Sequence, residues 1–150
     1  MTLDEYDDWI VVETVNYAAD LARATGQPLD DARRRAEEQL ARFLPQGSLT
    51  EGVFLMRVLD GIGEAVGTLW VGPHPERGDA GWVYDVEIDE ARRGEGLGRV
   101  AMLAAERLSR AAGWTSLGLN VFGHNARARA LYDRLGYGVA STTMTKPLTA

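Results

Sequence analysis

Apolar residues in the first third of the chain recur every three to four positions, the spacing of a helix that buries one face. This pattern predicts a helix over residues 4–24. Its apolar face carries Tyr6, Ile10, Tyr17 and Leu21. A second helix is predicted from Asp30 to residue 43, because Asp30 is a residue type that caps helix N-termini and apolar residues follow it at helical spacing.

Beyond Val53 the pattern changes from helical spacing to alternation, which indicates strands. Segments 53–58 and 65–71 flank the glycine-containing turn 60–63 and predict an antiparallel hairpin. The elements predicted after it are a strand at 81–88, a helix at 97–111, a strand at 116–122, a short helix capped by Asn125 and one or two strands at 137–148. No linker or repeat interrupts this order, so we expect a single α/β domain over residues 1–150.

Composition excludes several kinds of chemistry. The 150-residue chain contains no cysteine, which excludes disulfides, thiolate metal ligands and a cysteine nucleophile, and we expect no metal. Its net charge of −6 argues against a nucleic-acid partner, because such partners are bound mainly through basic side chains. An acidic start and the lack of an apolar run of about 18–20 residues predict neither a secretory signal nor a membrane span. A cytoplasmic protein is therefore expected.

A glycine-rich turn joins the third predicted strand to the third predicted helix, with the sequence Arg93-Gly94-Glu95-Gly96-Leu97-Gly98. Unpaired amides at such a turn and the positive end of the helix dipole can bind an anion, although an ordinary strand-to-helix turn fits as well. Arg92 and Arg99 beside the turn favour a phosphate. A dinucleotide fingerprint would require glycine at position 99, and the Gly-Lys-Ser/Thr of a phosphate-binding loop is absent.

Two motifs in this half of the chain resemble those of the GNAT superfamily of acyl-CoA-dependent N-acetyltransferases. The turn at residues 93–98 fits the signature R/Q-x-x-G-x-G/A, placed after a strand and before a helix. The second motif is a strand, then N-x-x-A-x-x-L-Y and G-F/Y, matched by Leu119 to Asn125, Ala128, Leu131-Tyr132 and Leu135-Gly136-Tyr137. Met144-Thr145-Lys146 is similar to a short strand near the family's end, and the matched spacing covers residues 82–148.

The resemblance implies a mixed, mostly antiparallel central sheet flanked by helices, in which two strands splay apart and hold coenzyme A. Its pantetheine arm would pair with the backbone of Val86, Glu87 and Ile88 and bond to Asn125. Its pyrophosphate would lie beside Arg93 and take the amides of Gly94, Glu95, Gly96, Leu97, Gly98 and Arg99. The family often begins with a strand, whereas helical spacing starts almost at once here, so that strand is expected to be short or missing.

The same resemblance places Tyr132 near the cofactor sulfur, where a phenol with a pKa of about 10 can protonate the leaving thiolate, although a core tyrosine also fits. Many relatives carry a glutamate where this chain has Asn120, which cannot accept a proton and would orient a water or the acceptor, or face solvent. Glu87 is the predicted general base instead, acting through water, unless it and Asp85 only attract a cationic amine. His124 is another candidate base, but its position beside a capping residue is typical of a structural histidine.

We therefore expect an enzyme that moves an acetyl group from acetyl-CoA to a primary amine on a small molecule or a protein. Because the chain has no thiol of its own, donor and acceptor would meet in a ternary complex for direct attack by the amine. A non-catalytic module that binds or senses acyl-CoA is the alternative, and a nucleotide binder is a third interpretation. Open edges of the sheet also favour a homodimer.

Overall fold

The computed structural model describes residues 1–149 and begins with a long helix, α1, over Leu3–Thr25. A capping box starts α1: the Thr2 hydroxyl accepts a hydrogen bond from the Glu5 amide, and the Glu5 carboxylate accepts one from the Thr2 amide. Gly26 ends the helix with a φ of 70°, a left-handed value that glycine adopts readily. None of the helices within residues 1–149 is both long and apolar enough to span a membrane.

Helix α2 spans Leu29–Phe43 and packs against α1. It is preceded by Pro28, so the prediction that Asp30 caps this helix was wrong. Asp30 lies in the first turn instead, where a negative charge stabilises the positive end of the helix dipole. Small buried residues bring the two helices close together: Ala18, Ala32 and Ala36.

Four strands form one sheet in the order β1-β2-β3-β4. The strands are β1 (Phe54–Leu59), β2 (Ala65–Pro73), β3 (Ala80–Ile88) and β4 (Ser116–Leu119). β1 is antiparallel to β2 and β2 is antiparallel to β3, whereas β4 runs parallel to β3. This is the mixed, mostly antiparallel sheet that the resemblance implied.

Helices cover both faces of this sheet. On one face lie α1 and α2, and the Trp9 ring of α1 meets the Trp70 ring of β2 edge to face, with centroids 5.7 Å apart. On the other face lie α3 (Leu97–Ala111) and α4 (Ala126–Arg134), with Met102 of α3 fully buried against the sheet. The sheet is therefore the middle layer of three.

Strands β3 and β4 separate soon after they begin. They pair only from Ala80 with Ser116 to Val83 with Leu119. A bulge at this point leaves Tyr84 out of the register between β2 and β3, and such bulges bend a strand. The rest of β3, as far as Ile88, therefore has no strand beside it on the β4 side.

Two predictions of strands in the second half of the chain were wrong. The strand expected at 116–122 ends at Leu119, because β3 has already turned away and no longer offers a partner. No strand forms at 137–148, and 144–146 is included in this correction. Val139, Met144 and Leu148 are exposed there, and alternating residues form a strand only where a neighbour pairs with their backbone groups.

The start of the chain agrees with the expectation of a short or missing first strand. No strand precedes α1 within the described residues. The Met1 amino group donates one hydrogen bond, of 3.1 Å, to the Leu55 carbonyl on the outer strand β1. A single bond of this kind stands where the family often has a strand.

Candidate active site

A cleft of about 1210 Å³ opens where β3 leaves β4. It is bordered by α1, the glycine turn at residues 93–98 and α4. Pockets for one drug-sized molecule commonly measure about 300–1,000 Å³, so this cleft has room for a long ligand and a second molecule. Glycines and arginines border one end, and acidic and aromatic side chains border the other.

The glycine turn offers an uninterrupted set of donors at the basic end. Gly94 and Gly96 have φ angles of 84° and 80°, which side chains with a Cβ rarely adopt. A Cβ on Gly98 would lie 3.1 Å from Leu131 Cδ2, so glycine allows α3 and α4 to approach there. Within residues 1–149, no backbone carbonyl accepts a hydrogen bond from the six amides of residues 94–99. Six such amides at a helix N-terminus form a site for an anion.

Arg92 fastens this turn to the rest of the fold. Its guanidinium donates to Glu95 at 3.0 Å and to Asp60, in the β1–β2 hairpin, also at 3.0 Å. The bond from Arg92 holds the pKa of the Asp60 carboxyl below its usual value. The side chain of Glu95, a predicted cofactor-binding residue, is therefore engaged with Arg92, and only its amide remains for a ligand.

Other arginines stand nearer the open cleft. Arg93 donates through Nε to the Ile88 carbonyl at 3.0 Å, which occupies one backbone acceptor that the resemblance assigned to pantetheine. Arg99 is exposed at the cleft, and Arg127 and Arg134 of α4 also border it. These guanidinium groups give the end that carries the six amides a positive charge.

Tyr132 lies in the wall of the cleft where α4 faces the sheet. Its side chain is 8% exposed and belongs to the core, but it also borders the cleft. Burial, and to a lesser extent the negative charge of Asp85, raise the pKa of the phenol above its usual value. The hydroxyl therefore keeps its proton at neutral pH and can donate it.

The two carboxylates of β3 point to the α1 side of the cleft. Thr68 Oγ1 lies 3.4 Å from Asp85 Oδ2, and Asn16 Nδ2 of α1 lies 3.5 Å from Glu87 Oε2. Burial and the neighbouring charge of Glu87 raise the pKa of Asp85 to about 7.

A third carboxylate, Glu13 of α1, faces the same space. It is only 7% exposed and borders the cleft. Burial raises its pKa far above the usual value, and the charges of Asp85, Glu87 and Asp20 raise it further. We call these four residues, Glu13, Asp20, Asp85 and Glu87, the acidic end of the cleft.

Aromatic rings form the floor of the acidic end. Trp70 and Tyr84 stack with centroids 4.6 Å apart, and Phe43 of α2 contacts Tyr84 at 4.9 Å. Tyr17 of α1 donates a hydrogen bond to Gln39 of α2. Tyr84 packs in the core and also borders the cleft.

The residues after β4 close the side of the cleft. Asn120 is exposed and borders the cleft immediately after the strand ends. Asn125 caps α4, because its Oδ1 accepts from the Ala128 amide at 3.1 Å, which leaves its side-chain NH₂ for a ligand. His124 lies 3.3 Å from Asp20 and stacks on the Phe122 ring, so its contacts are those of a structural residue.

Comparison with models of protein families identifies the family of this chain. Residues 16–137 match the model of the acetyltransferase (GNAT) family, which is most of the chain. The chain belongs to the GNAT family. It is therefore an acyltransferase, and the family to which it belongs uses acetyl-CoA.

The relatives of this GNAT protein include one that matches it over nearly its whole length. The uncharacterized N-acetyltransferase YycN of Bacillus subtilis is 29% identical over 99% of this chain and 96% of its own. The crystal structure of YycN superposes with a TM-score of 0.91, covering 100% of this chain and 96% of that one. A mycothiol acetyltransferase of Rhodococcus opacus is 38% identical, over 71% of this chain and 33% of its own length.

Nearly all of the predicted site residues border the cleft, but the GNAT motifs did not point to all of its charged side chains. Val86, Glu87, Asn120, Tyr132 and the residues of the turn lie together there, apart from the Glu95 side chain. Arg127 and Glu13 were not predicted. Glu13 did leave a signal, because it is an acidic residue on the apolar face of α1, four positions after Trp9 and four before Tyr17.

Proposed function

We propose that this protein transfers an acetyl group from acetyl-CoA to a primary amine, by direct attack of the amine while both substrates are bound. The observation that carries the proposal is the polarity of one continuous cleft. Six unpaired amides and several arginines line one end, and carboxylates line the other, with Tyr132 between them. A phosphorylated donor and a cationic acceptor fit these two ends.

The basic end suits the phosphates of coenzyme A. The amides of residues 94–99 would hold the pyrophosphate, with Arg93, Arg99 and Arg127 close by. The part of β3 from Val86 to Ile88, left without a strand beside it, and the side-chain NH₂ of Asn125 would bind the pantetheine arm. A protein of the same fold, AAC(6')-Iy, was crystallised with a bisubstrate analog of CoA and acetylneamine (TM-score 0.57, 12% identity), which supports a cleft that holds both substrates.

The chemistry removes two protons from the ammonium nitrogen of the acceptor and adds one proton to the leaving sulfur. Acetyl-CoA supplies a thioester, and a carbon–nitrogen bond to the amine forms as the carbon–sulfur bond breaks. The amine reaches the site protonated, and we propose that Glu87, with Asp85 beside it, accepts that proton directly or through water. Tyr132 would then donate its proton to the leaving thiolate and be reprotonated by the second proton that the nitrogen loses as the amide forms. Asn120 at the end of β4 would orient the water or the acceptor.

Ligand binding and turnover test this function separately. We expect acetyl-CoA to raise the melting temperature of the protein, whereas NAD and ATP leave it unchanged. Free thiol should then be released when primary amines are added to the acetyl-CoA complex. Stabilisation without thiol release, across a broad panel of amines, would support the acyl-CoA-binding module instead, and stabilisation by NAD or ATP would support a nucleotide binder.

Replacing Glu87 with glutamine tests the proposed base through the pH dependence of the reaction. We expect Glu87→Gln to lower kcat by about 100-fold, with the largest loss at low pH, where free amine is scarce. The measurement is kcat between pH 5.5 and 9, with acetyl-CoA and amine saturating. Glu38→Gln is the matched control, since this exposed residue of α2 does not border the cleft.

The same pH profile distinguishes the two carboxylates. The charge of Glu87 raises the pKa of Asp85, so its removal lowers that pKa. If Asp85 alone accepts the proton, Glu87→Gln moves the acidic limb of the profile to lower pH instead of removing activity there. An unchanged profile would limit Glu87 to attracting the cationic amine.

A further inference from the structure

The acidic end of the cleft holds more carboxyl groups than one ammonium group needs, and a bound cation would favour their ionised form. Its carboxylates come from two walls, with Glu13 and Asp20 on α1 and Asp85 and Glu87 on β3. A single reacting amine beside Tyr132 would pair with the β3 carboxylates. The two on α1 lie seven positions apart, or about 10 Å along the helix axis, and extend the acidic surface away from β3.

Glu13 is the residue for which the protein itself supplies no partner. It is 7% exposed, and within residues 1–149 no ion pair or hydrogen bond to its carboxylate forms. Asp20, by contrast, already contacts His124 at 3.3 Å. A buried carboxylate without a donor is costly unless a ligand supplies one, and Glu13 borders the cleft from which a ligand would come.

The rings below this position favour an organic cation. Trp70, Tyr84 and Phe43 form a continuous aromatic surface that borders the cleft. The faces of such rings attract ammonium groups and pack against the methylene chains between them.

We propose that the acceptor is a small molecule with at least two protonated amines, and that Glu13 binds the amine that does not react. This inference rests on the proposed acetyl transfer to a primary amine and adds the class of acceptor. One amine lies at Asp85 and Glu87 and takes the acetyl group. The other pairs with Glu13, while the chain between them lies on the aromatic floor.

A matched pair of acceptors tests this directly. Diaminopentane and aminopentane have the same chain and differ only in the second amine. We expect kcat/KM, measured by release of the CoA thiol at saturating acetyl-CoA and corrected for the two equivalent amines, to favour the diamine by roughly 10- to 100-fold. A series of diamines from three to eight carbons should give one preferred length.

Glu13→Gln should bring the diamine-to-monoamine ratio close to unity, because an amide has no charge to pair with the second ammonium. Glu38→Gln removes the same charge from an exposed site on α2 and should keep the parent ratio. Circular dichroism checks that both variants are folded. Asp20→Asn, on a more exposed part of the same helix, provides a second variant and should reduce the ratio less.

The inference would be overturned, while acetyl transfer itself stands, by equal kcat/KM for diamine and monoamine or by a ratio that Glu13→Gln leaves unchanged. Release of thiol with monoamines but not with diamines would overturn it as well. If no amine of either kind releases thiol, the proposed transfer fails, and this inference fails with it. The two failures are thus distinguished by whether any of these amines releases thiol.

Discussion

Replacing Tyr132 with phenylalanine is expected to lower kcat by about 100-fold or more and to leave the affinity for acetyl-CoA within about twofold. The phenol is the protonated group we assign to the leaving thiolate, and burial keeps its proton in place by raising its pKa. Phenylalanine fills the same space in the core, so the fold and the cofactor contacts remain. Thiol release gives kcat, and titration calorimetry gives the dissociation constant.

Tyr137→Phe is the matched control for this variant. The Tyr137 ring lies 6.0 Å from that of Tyr132, and its hydroxyl is buried but does not border the cleft. Its kcat should equal that of the parent. A Tyr132→Phe enzyme as fast as the parent would contradict the assignment of the acid and would make Tyr132 a core residue only.

Gly96→Ala is expected to weaken acetyl-CoA binding by about 10- to 100-fold, with a smaller effect on kcat at saturation. Gly96 has a φ of 80°, and a Cβ there would strain the backbone by about 1–2 kcal/mol. Relief of that strain rotates the amides of the turn away from a common centre. Calorimetry with coenzyme A measures the loss.

Gly113 provides a control at the opposite end of the same helix. Its φ of 82° follows α3, and a Cβ there would meet no heavy atom within 4 Å, as at Gly96. Gly113→Ala should therefore lose similar thermal stability and keep the parent affinity for coenzyme A. Equal losses of affinity in both variants would mean that the amides of residues 94–99 do not hold the pyrophosphate.

The charges in the cleft have a common physical consequence for its two substrates. At one end, helix α3 and the arginines concentrate positive charge, and at the other, burial and mutual repulsion raise the pKa values of Glu13 and Asp85. Repulsion of this kind falls when a cation binds, so an amine acceptor would restore these carboxylates to their ionised form. Binding of the proposed amine acceptor and ionisation of Asp85 would thus be linked.

Local sequence was sufficient for much of the fold. Local spacing predicted the helices, the Asn125 cap of α4, the hairpin around residues 60–63 and the turn at residues 93–98. Each of these depends on contacts between residues a few positions apart. The family followed from two motifs of this local kind. The strands of the tail were predicted wrongly, because alternation of apolar residues does not reveal whether a neighbouring strand pairs with the chain. The cap of α2 was also predicted wrongly, since the helix begins at Leu29 and Pro28 precedes it.

What the sequence by itself determined is the family, the order of elements and the glycine turn with its six amides. Only the tertiary structure decided which charges share the cleft. Asn16 reaches Glu87 across 71 positions, and His124 reaches Asp20 across 104. The burial of Glu13 and the engagement of Arg92 with Asp60 are likewise products of packing between α1, the sheet and the hairpin. Such contacts leave no periodic pattern in the sequence, because they join residues of separate elements that come together only when the core packs.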